Sequence, residues 1–245
     1  MFKKIIIITS LLLISVMAFI SCSQKENKLY VGTNAEFEPF EYRDGDNIVG
    51  FDIDLINEIA KIMKQDIEVV DMAFDGLLPA LQSKKIDIII AGMTADEERK
   101  KFVNFTDPYY NTKQSILVYN DNTTINSFDD LDGKNVGVVL GFTGDLIVSE
   151  MSNVNAQKYS ATSEAILALK SQKVDAVVLD YEPAKQYSAQ NKELKLVLAD
   201  SQDEEYAIAI RKEDTELLKK VNDALNTIKE NGTYDMLIEK YFESK

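Results

Sequence analysis

Arg99, Thr94, Thr143, Asp180, Phe37 and Phe74 are the residues whose types and settings could do binding chemistry. Arg99 lies in Thr94-Ala95-Asp96-Glu97-Glu98-Arg99-Lys100-Lys101, after the small-residue turn Ala91-Gly92-Met93 that ends Ile86-Asp87-Ile88-Ile89-Ile90, the most apolar strand candidate beyond the N-terminal segment. Thr94, with Glu97 three residues later, has the spacing of a capping box and predicts a short helix with Arg99 on its first or second turn. A hydroxyl, free backbone N–H groups and a guanidinium would then converge at the carboxyl end of a buried strand, where open α/β sheets bind ligands. On local sequence alone, Arg99 also reads as one member of a solvated charge run from Asp96 to Lys101.

Asp180 follows four apolar strand residues, Ala176 to Leu179. It must be solvated at the strand end, paired, or used to cap the helix that Pro183 announces. Thr143, in Gly141-Phe142-Thr143-Gly144, reads as an N-cap. Phe37 sits in a polar loop beside Pro39, where a core role is less natural than for Phe40, and Phe74 precedes a helix and could be its hydrophobic staple. Two aromatic faces can grip an aliphatic chain, or a guanidinium through cation–π attraction. The sequence has no histidine and one cysteine, Cys22, which removes Ser-His-Asp and Cys-His catalysis, His- or Cys-ligated zinc and any intramolecular disulfide. No cofactor or metal is implied.

The elements that must position these groups follow from periodicity. Strands are expected at 29–33, 67–72, 86–90, 115–118, 136–139, 176–179, 194–198 and 206–210. Helices are expected from Leu55 through Met63, at 76–81, 145–151, 164–171, 183–191, 215–229 and 233–241. Asp44-Gly45 is a reversal, and Asn231-Gly232 a stop. Strands separated by helices predict βαβ units and parallel sheets, so the fold class is α/β. At 245 residues and 45% hydrophobic content the chain can bury one large or two ordinary domains.

The run AGMTADEERKKFVNFTDPYY closely resembles the signature of the family 3 extracellular solute-binding proteins, the amino-acid receptors of ABC importers. The resemblance implies two lobes, each a central sheet flanked by helices, joined by two hinge strands near 111–113 and 203–206. Lobe 1 would be 28–111 with 206–245, and lobe 2 would be 112–205. It also implies that Arg99, with Thr94 and the Thr143 backbone, holds an amino acid's α-carboxylate. Asp180, in Leu179-Asp180-Tyr181-Glu182-Pro183, and the Gly92 carbonyl beside Ala91 would take the ammonium. Phe37 and Phe74 match the family's aromatic clamp. Asn34 stands where receptors for lysine, arginine, histidine and glutamine commonly carry aspartate. Glu36 could replace that charge or simply face solvent. The expected ligand is a polar or basic L-amino acid of arginine, lysine or glutamine type.

The N-terminus has a secretory plan: Lys3 and Lys4, an apolar run from Ile5 to Ile20, then Ser21-Cys22. The run falls short of the roughly 20 residues that span a bilayer, so 1–21 is expected to be a signal peptide. Ile20-Ser21-Cys22 resembles a lipobox, with Phe19 where leucine is usual, which implies lipidation of Cys22 and a tether over 22–27. The expected product is a monomer in the periplasm or at the outer face of the cell membrane, anchored by lipid only and docking on permease subunits. The net charge of −14 argues against nucleic acid or an anionic membrane surface as partner. Periplasmic cyclohexadienyl dehydratases share the scaffold and make an enzyme the alternative. A channel's ligand-sensing domain would need a membrane span, and no such run follows Ile20.

Overall fold

A computed structural model describes residues 28–198 and 200–243. The signal-peptide, tether and Cys22 expectations lie outside them. In chain order the elements are β1 (Lys28–Thr33), β2 (Glu36–Phe37), β3 (Glu41–Asp44), β4 (Asn47–Val49), α1 (Phe51–Met63), β5 (Asp66–Asp71), α2 (Leu77–Gln82) and β6 (Ile88–Ile89). Then come α3 (Glu97–Lys100), β7 (Val103–Phe105), β8 (Tyr110–Tyr119), β9 (Asn135–Val139), α4 (Thr143–Glu150), β10 (Asn155–Tyr159), α5 (Thr162–Lys170), β11 (Ala176–Asp180) and α6 (Tyr181–Gln190). The chain closes with β12 (Leu194–Val197), β13 (Asp203–Tyr206), β14 (Ala209–Arg211), α7 (Thr215–Glu230) and α8 (Thr233–Ile238).

Two main sheets divide the molecule into two lobes. The first has the order β5-β1-β6-β14-β7, the second β10-β9-β11-β8-β12, with β13 also paired to β8. The expectation of parallel sheets needs correction, because both are mixed. β1 runs parallel to β5 and β6, whereas β14 is antiparallel to β6 and β7. In the second sheet β9 is parallel to β10 and β11, and β8 antiparallel to β11 and β12. The antiparallel strands are those entering a sheet directly from the other lobe, with no crossover helix to reverse them.

β8 does two jobs along its ten residues. Its first half pairs antiparallel with β13, from Tyr110↔Tyr206 to Lys113↔Asp203, and its second half forms the middle of the second sheet. This two-stranded ribbon is the connection between lobes. It explains why the expected strand 206–210 is instead β13 and β14. The chain leaves the ribbon at Tyr206 and re-enters the first sheet at Ala209.

The helices bury the faces that their periodicity selects. α1 buries Leu55, Ile56 and Ile59, but Ile62 ends up 39% exposed. α7 buries Val221, Ala224, Leu225 and Ile228, and packs on α1. The expected final helix 233–241 is α8 followed by a π-helical stretch over Glu239–Glu243. That stretch brings Phe242 against Phe40, Phe51 and Tyr110, closing an aromatic cluster below the ribbon.

Candidate functional site

Arg99 is buried at the seam between lobes. One of its terminal nitrogens donates to the Thr94 carbonyl at 2.8 Å, the other to the Gly141 carbonyl of the opposite lobe at 2.9 Å. Asp96 lies 3.2 Å from the guanidinium, and the Phe74 ring centroid 5.4 Å from its carbon. Burial lowers the pKa of Arg99, while Asp96, Asp180 and Glu204 oppose that shift. Its fork remains cationic and can turn from carbonyls to a carboxylate. The capping box expected from Thr94 and Glu97 does not form. The helix starts at Glu97, and Asp96 is its N-cap, accepting from the Arg99 N–H at 2.7 Å. Asp96 stands three residues before Arg99, the right reach for an N3 amide.

Thr94 is thereby released for other work. It bridges to Tyr206 on the ribbon, its hydroxyl donates to Glu204 at 2.8 Å, and it accepts from the Thr143 hydroxyl across the cleft at 3.1 Å. Thr143 is the first residue of α4 rather than its N-cap, a position taken by Phe142. Its helix therefore presents a free N-terminus toward Thr94.

Asp180 occupies the N-cap position of α6, yet its side chain makes no capping bond. It is buried and accepts from the Gln114 amide at 2.7 Å, the directly opposite residue in the β8–β11 pairing. Burial is the first cause that pushes its pKa up to about 7, and Glu204 adds to it. The Tyr206 hydroxyl and Arg99 act against the shift. A carboxyl so poised gains from any cation brought into the cleft.

Ala91 and Gly92 form the turn after β6. The Gly92 N–H donates to Asp52 at 2.9 Å, and the Tyr109 hydroxyl donates to the same carboxylate oxygen at 2.7 Å. Glu41 and Asp52 are both wholly buried, and burial pushes the pKa of Asp52 up to about 6 and that of Glu41 well above its usual value. Gly92 has φ 52°, and a Cβ there would lie 2.5 Å from the Phe37 ring, so no other residue fits without displacement.

Phe37 and Phe74 are both buried at the seam. Each meets Phe142 from the other lobe, at 5.3 Å with planes at 89° and at 4.6 Å with planes at 68°. Asn34 donates to the Met72 carbonyl at 3.0 Å within its own lobe. Glu36 reaches across the mouth and accepts from the Ser163 hydroxyl at 3.3 Å. Arg99, Thr94, Thr143, Phe37, Phe74 and Glu36 thus make contacts across the seam, whereas the bond of Asn34 to Met72 stays within its own lobe. Sequence reasoning missed Gln114, Glu204, Phe142 and the Glu41–Asp52 pair. Gln114 carried no contrast, standing among Asn111, Thr112, Lys113 and Ser115 on β8, and Glu204 was hidden in the acidic run from Asp200 to Glu205. Among the described residues, no group of three or more acidic, His or Cys side chains could hold a metal ion.

The model of the bacterial extracellular solute-binding proteins, family 3, matches residues 29–244. The chain is a family 3 extracellular solute-binding protein. This solute-binding protein is 40% identical over 223 residues to the arginine-binding extracellular protein ArtP of Bacillus subtilis (strain 168), covering 89% of this chain and 87% of the relative. It is 38% identical over 215 residues to a probable histidine-binding protein of Campylobacter jejuni, covering 87% and 84%. Among solved structures, an ancestral arginine-binding protein bound to glutamine superposes with a TM-score of 0.85 at 48% identity, covering 88% of this chain and 98% of that one. These relatives are named as binding proteins, not as enzymes.

Proposed function

We propose that this protein is the amino-acid receptor of an ABC importer. It captures a polar or basic L-amino acid, of arginine, lysine or glutamine type, by closing its lobes. The lobes are taken as 28–111 with 206–245, and 112–205. In this reading the Arg99 fork, the Thr94 hydroxyl and the Thr143 N–H receive the α-carboxylate. Asp180 and the Gly92 carbonyl receive the ammonium, while Phe37 and Phe74 flank the side chain with Asn34 and Glu36 at its far end. The observation that carries it is a guanidinium and a carboxylate from opposite lobes buried at one seam, with Arg99 already bonded to both lobes. Names of relatives that bind arginine and histidine, and of one bound to glutamine, agree with a zwitterionic ligand. Signal-peptide removal and lipidation of Cys22 would hold the receptor, as a monomer, beside its permease.

Calorimetric titration of the purified protein with individual L-amino acids is expected to find at least one ligand of micromolar or tighter Kd. Arg99→Ala should weaken that ligand by about 100-fold or more, since it removes two charge-assisted bonds of roughly 1.5–3 kcal/mol each. An unchanged Kd in a folded Arg99→Ala protein overturns the carboxylate assignment.

A further inference from the structure

The aromatic rings at the seam do not form a simple two-sided clamp. Among the described residues Phe37 and Phe74 make no ring contact with each other, and each packs edge to face with Phe142. Phe142 is 5% exposed, and it is delivered by the tight turn between β9 and α4. That turn is held by the Phe142 N–H to the Val139 carbonyl at 3.0 Å and by the Gly141 N–H to Asp145 at 3.0 Å. Gly141, the preceding residue, has φ 82° and runs so close to the first lobe that a Cβ on it would lie 3.4 Å from Asp75. Its carbonyl is the second acceptor of Arg99. The ring is therefore aimed by backbone constraints on both sides of it.

The polar groups of the seam are engaged in the same way. The Gln114 amide sits on Asp180, and the Glu204 carboxylate sits on the Thr94 hydroxyl. Those are an N–H donor on the acid and a carboxylate on the hydroxyl, the two polar contacts that an amino acid would itself bring. The ring between Phe37 and Phe74 completes the set.

We infer that Phe142 is a specificity-determining residue that competes with the ligand's side chain for the space between Phe37 and Phe74. This rests on the proposed function and deepens it. A long side chain must displace the ring and forfeit two aromatic contacts, whereas glycine or alanine leaves the ring in place. Phe142 thus penalises ligands by side-chain length.

The test is calorimetry of the full-length protein and its Phe142→Ala variant with L-arginine, L-glutamine and glycine, with Phe142→Leu as a milder second variant. Removing two edge-to-face contacts is expected to tighten arginine and glutamine by about tenfold or more, with the leucine variant between. Any glycine affinity should change less than about threefold. Small-angle scattering of the amino-acid-free proteins adds a readout of conformation: Phe142→Ala should show the larger radius of gyration. Arginine or glutamine Kd values that are unchanged or weaker in cooperatively melting variants overturn the inference and leave the proposed function standing. Absence of binding by any amino acid to wild type and variants overturns both.

Discussion

Asp180 carries the chemistry that is easiest to test by titration. Its carboxyl is held up to about 7 chiefly by burial, with Glu204 adding repulsion. An ammonium placed against it would favour the ionised form, so binding should release a proton between roughly pH 5 and 7. Affinity is therefore expected to rise with pH over that range, by up to about tenfold per unit, and Asp180→Asn should flatten the profile. Calorimetry near pH 5.5 and 7.5, in buffers of different ionisation enthalpy, checks both the Kd and the proton count. An identical Kd at both values would remove Asp180 from the ammonium subsite. Asp180 was conspicuous in the sequence because a charge ends an apolar strand there, and Arg99 because it follows another. Glu204 gave no such contrast, as it stands among acidic neighbours of which Asp203 and Glu205 are exposed. Its burial depends on register in the β8–β13 ribbon, which only the folded pairing sets.

The turn that links β6 to α3 is the element on which the seam is built. Gly92 gives it a left-handed corner beside Phe37, and Asp52 on α1 fixes its N–H. Gly92→Ala is expected to destabilise the protein by about 1–3 kcal/mol, through the strained φ and the overpacked ring. Urea denaturation should show this as a lower midpoint with an unchanged slope. Most helices and strands were legible from periodicity to within a few residues, including α1, α7, β5 and β9. The antiparallel course of β8 and β14 was not, because strand direction is decided by where a connection crosses and leaves no mark on alternation. The start of α3 was displaced from Thr94 to Asp96 for a similar reason. Both residues are good caps locally, and the bridge from Thr94 to Tyr206 decides between them.

At the scale of the whole molecule, four buried carboxyls, Glu41, Asp52, Asp180 and Glu204, have raised pKa values, with burial the first cause in each case. Each takes up a proton more readily folded than unfolded, so its contribution is complete below the unfolded value near 4 and is lost as pH rises through the folded value. Stability without added amino acid is thus expected to fall between about pH 4 and 7, opposite to the usual acid denaturation of salt-bridged proteins. The net charge of −14 acts in the same direction through self-repulsion. Salt separates the two, since about 0.5 M NaCl screens surface repulsion and leaves the buried groups almost untouched. Thermal melts that show no pH slope at that salt would refute a role for the buried carboxyls. Saturating amino acid should raise Tm and reduce the slope, because an ammonium stabilises the ionised acid.

The place of β14 has a consequence for the order in which the polypeptide can acquire its shape. Residues 209–211 form the fourth of five strands, between β6 and β7, and α7 beyond them covers α1, so the first lobe lacks both a strand and part of its helical cover until almost the whole chain has emerged. The strands of the second sheet come from one uninterrupted stretch and need nothing later than Tyr206. A nascent chain would accordingly assemble its second half before its first, and a stop at residue 208 should leave amides of β1, β5 and β6 exchanging freely while those of β9 and β11 stay protected.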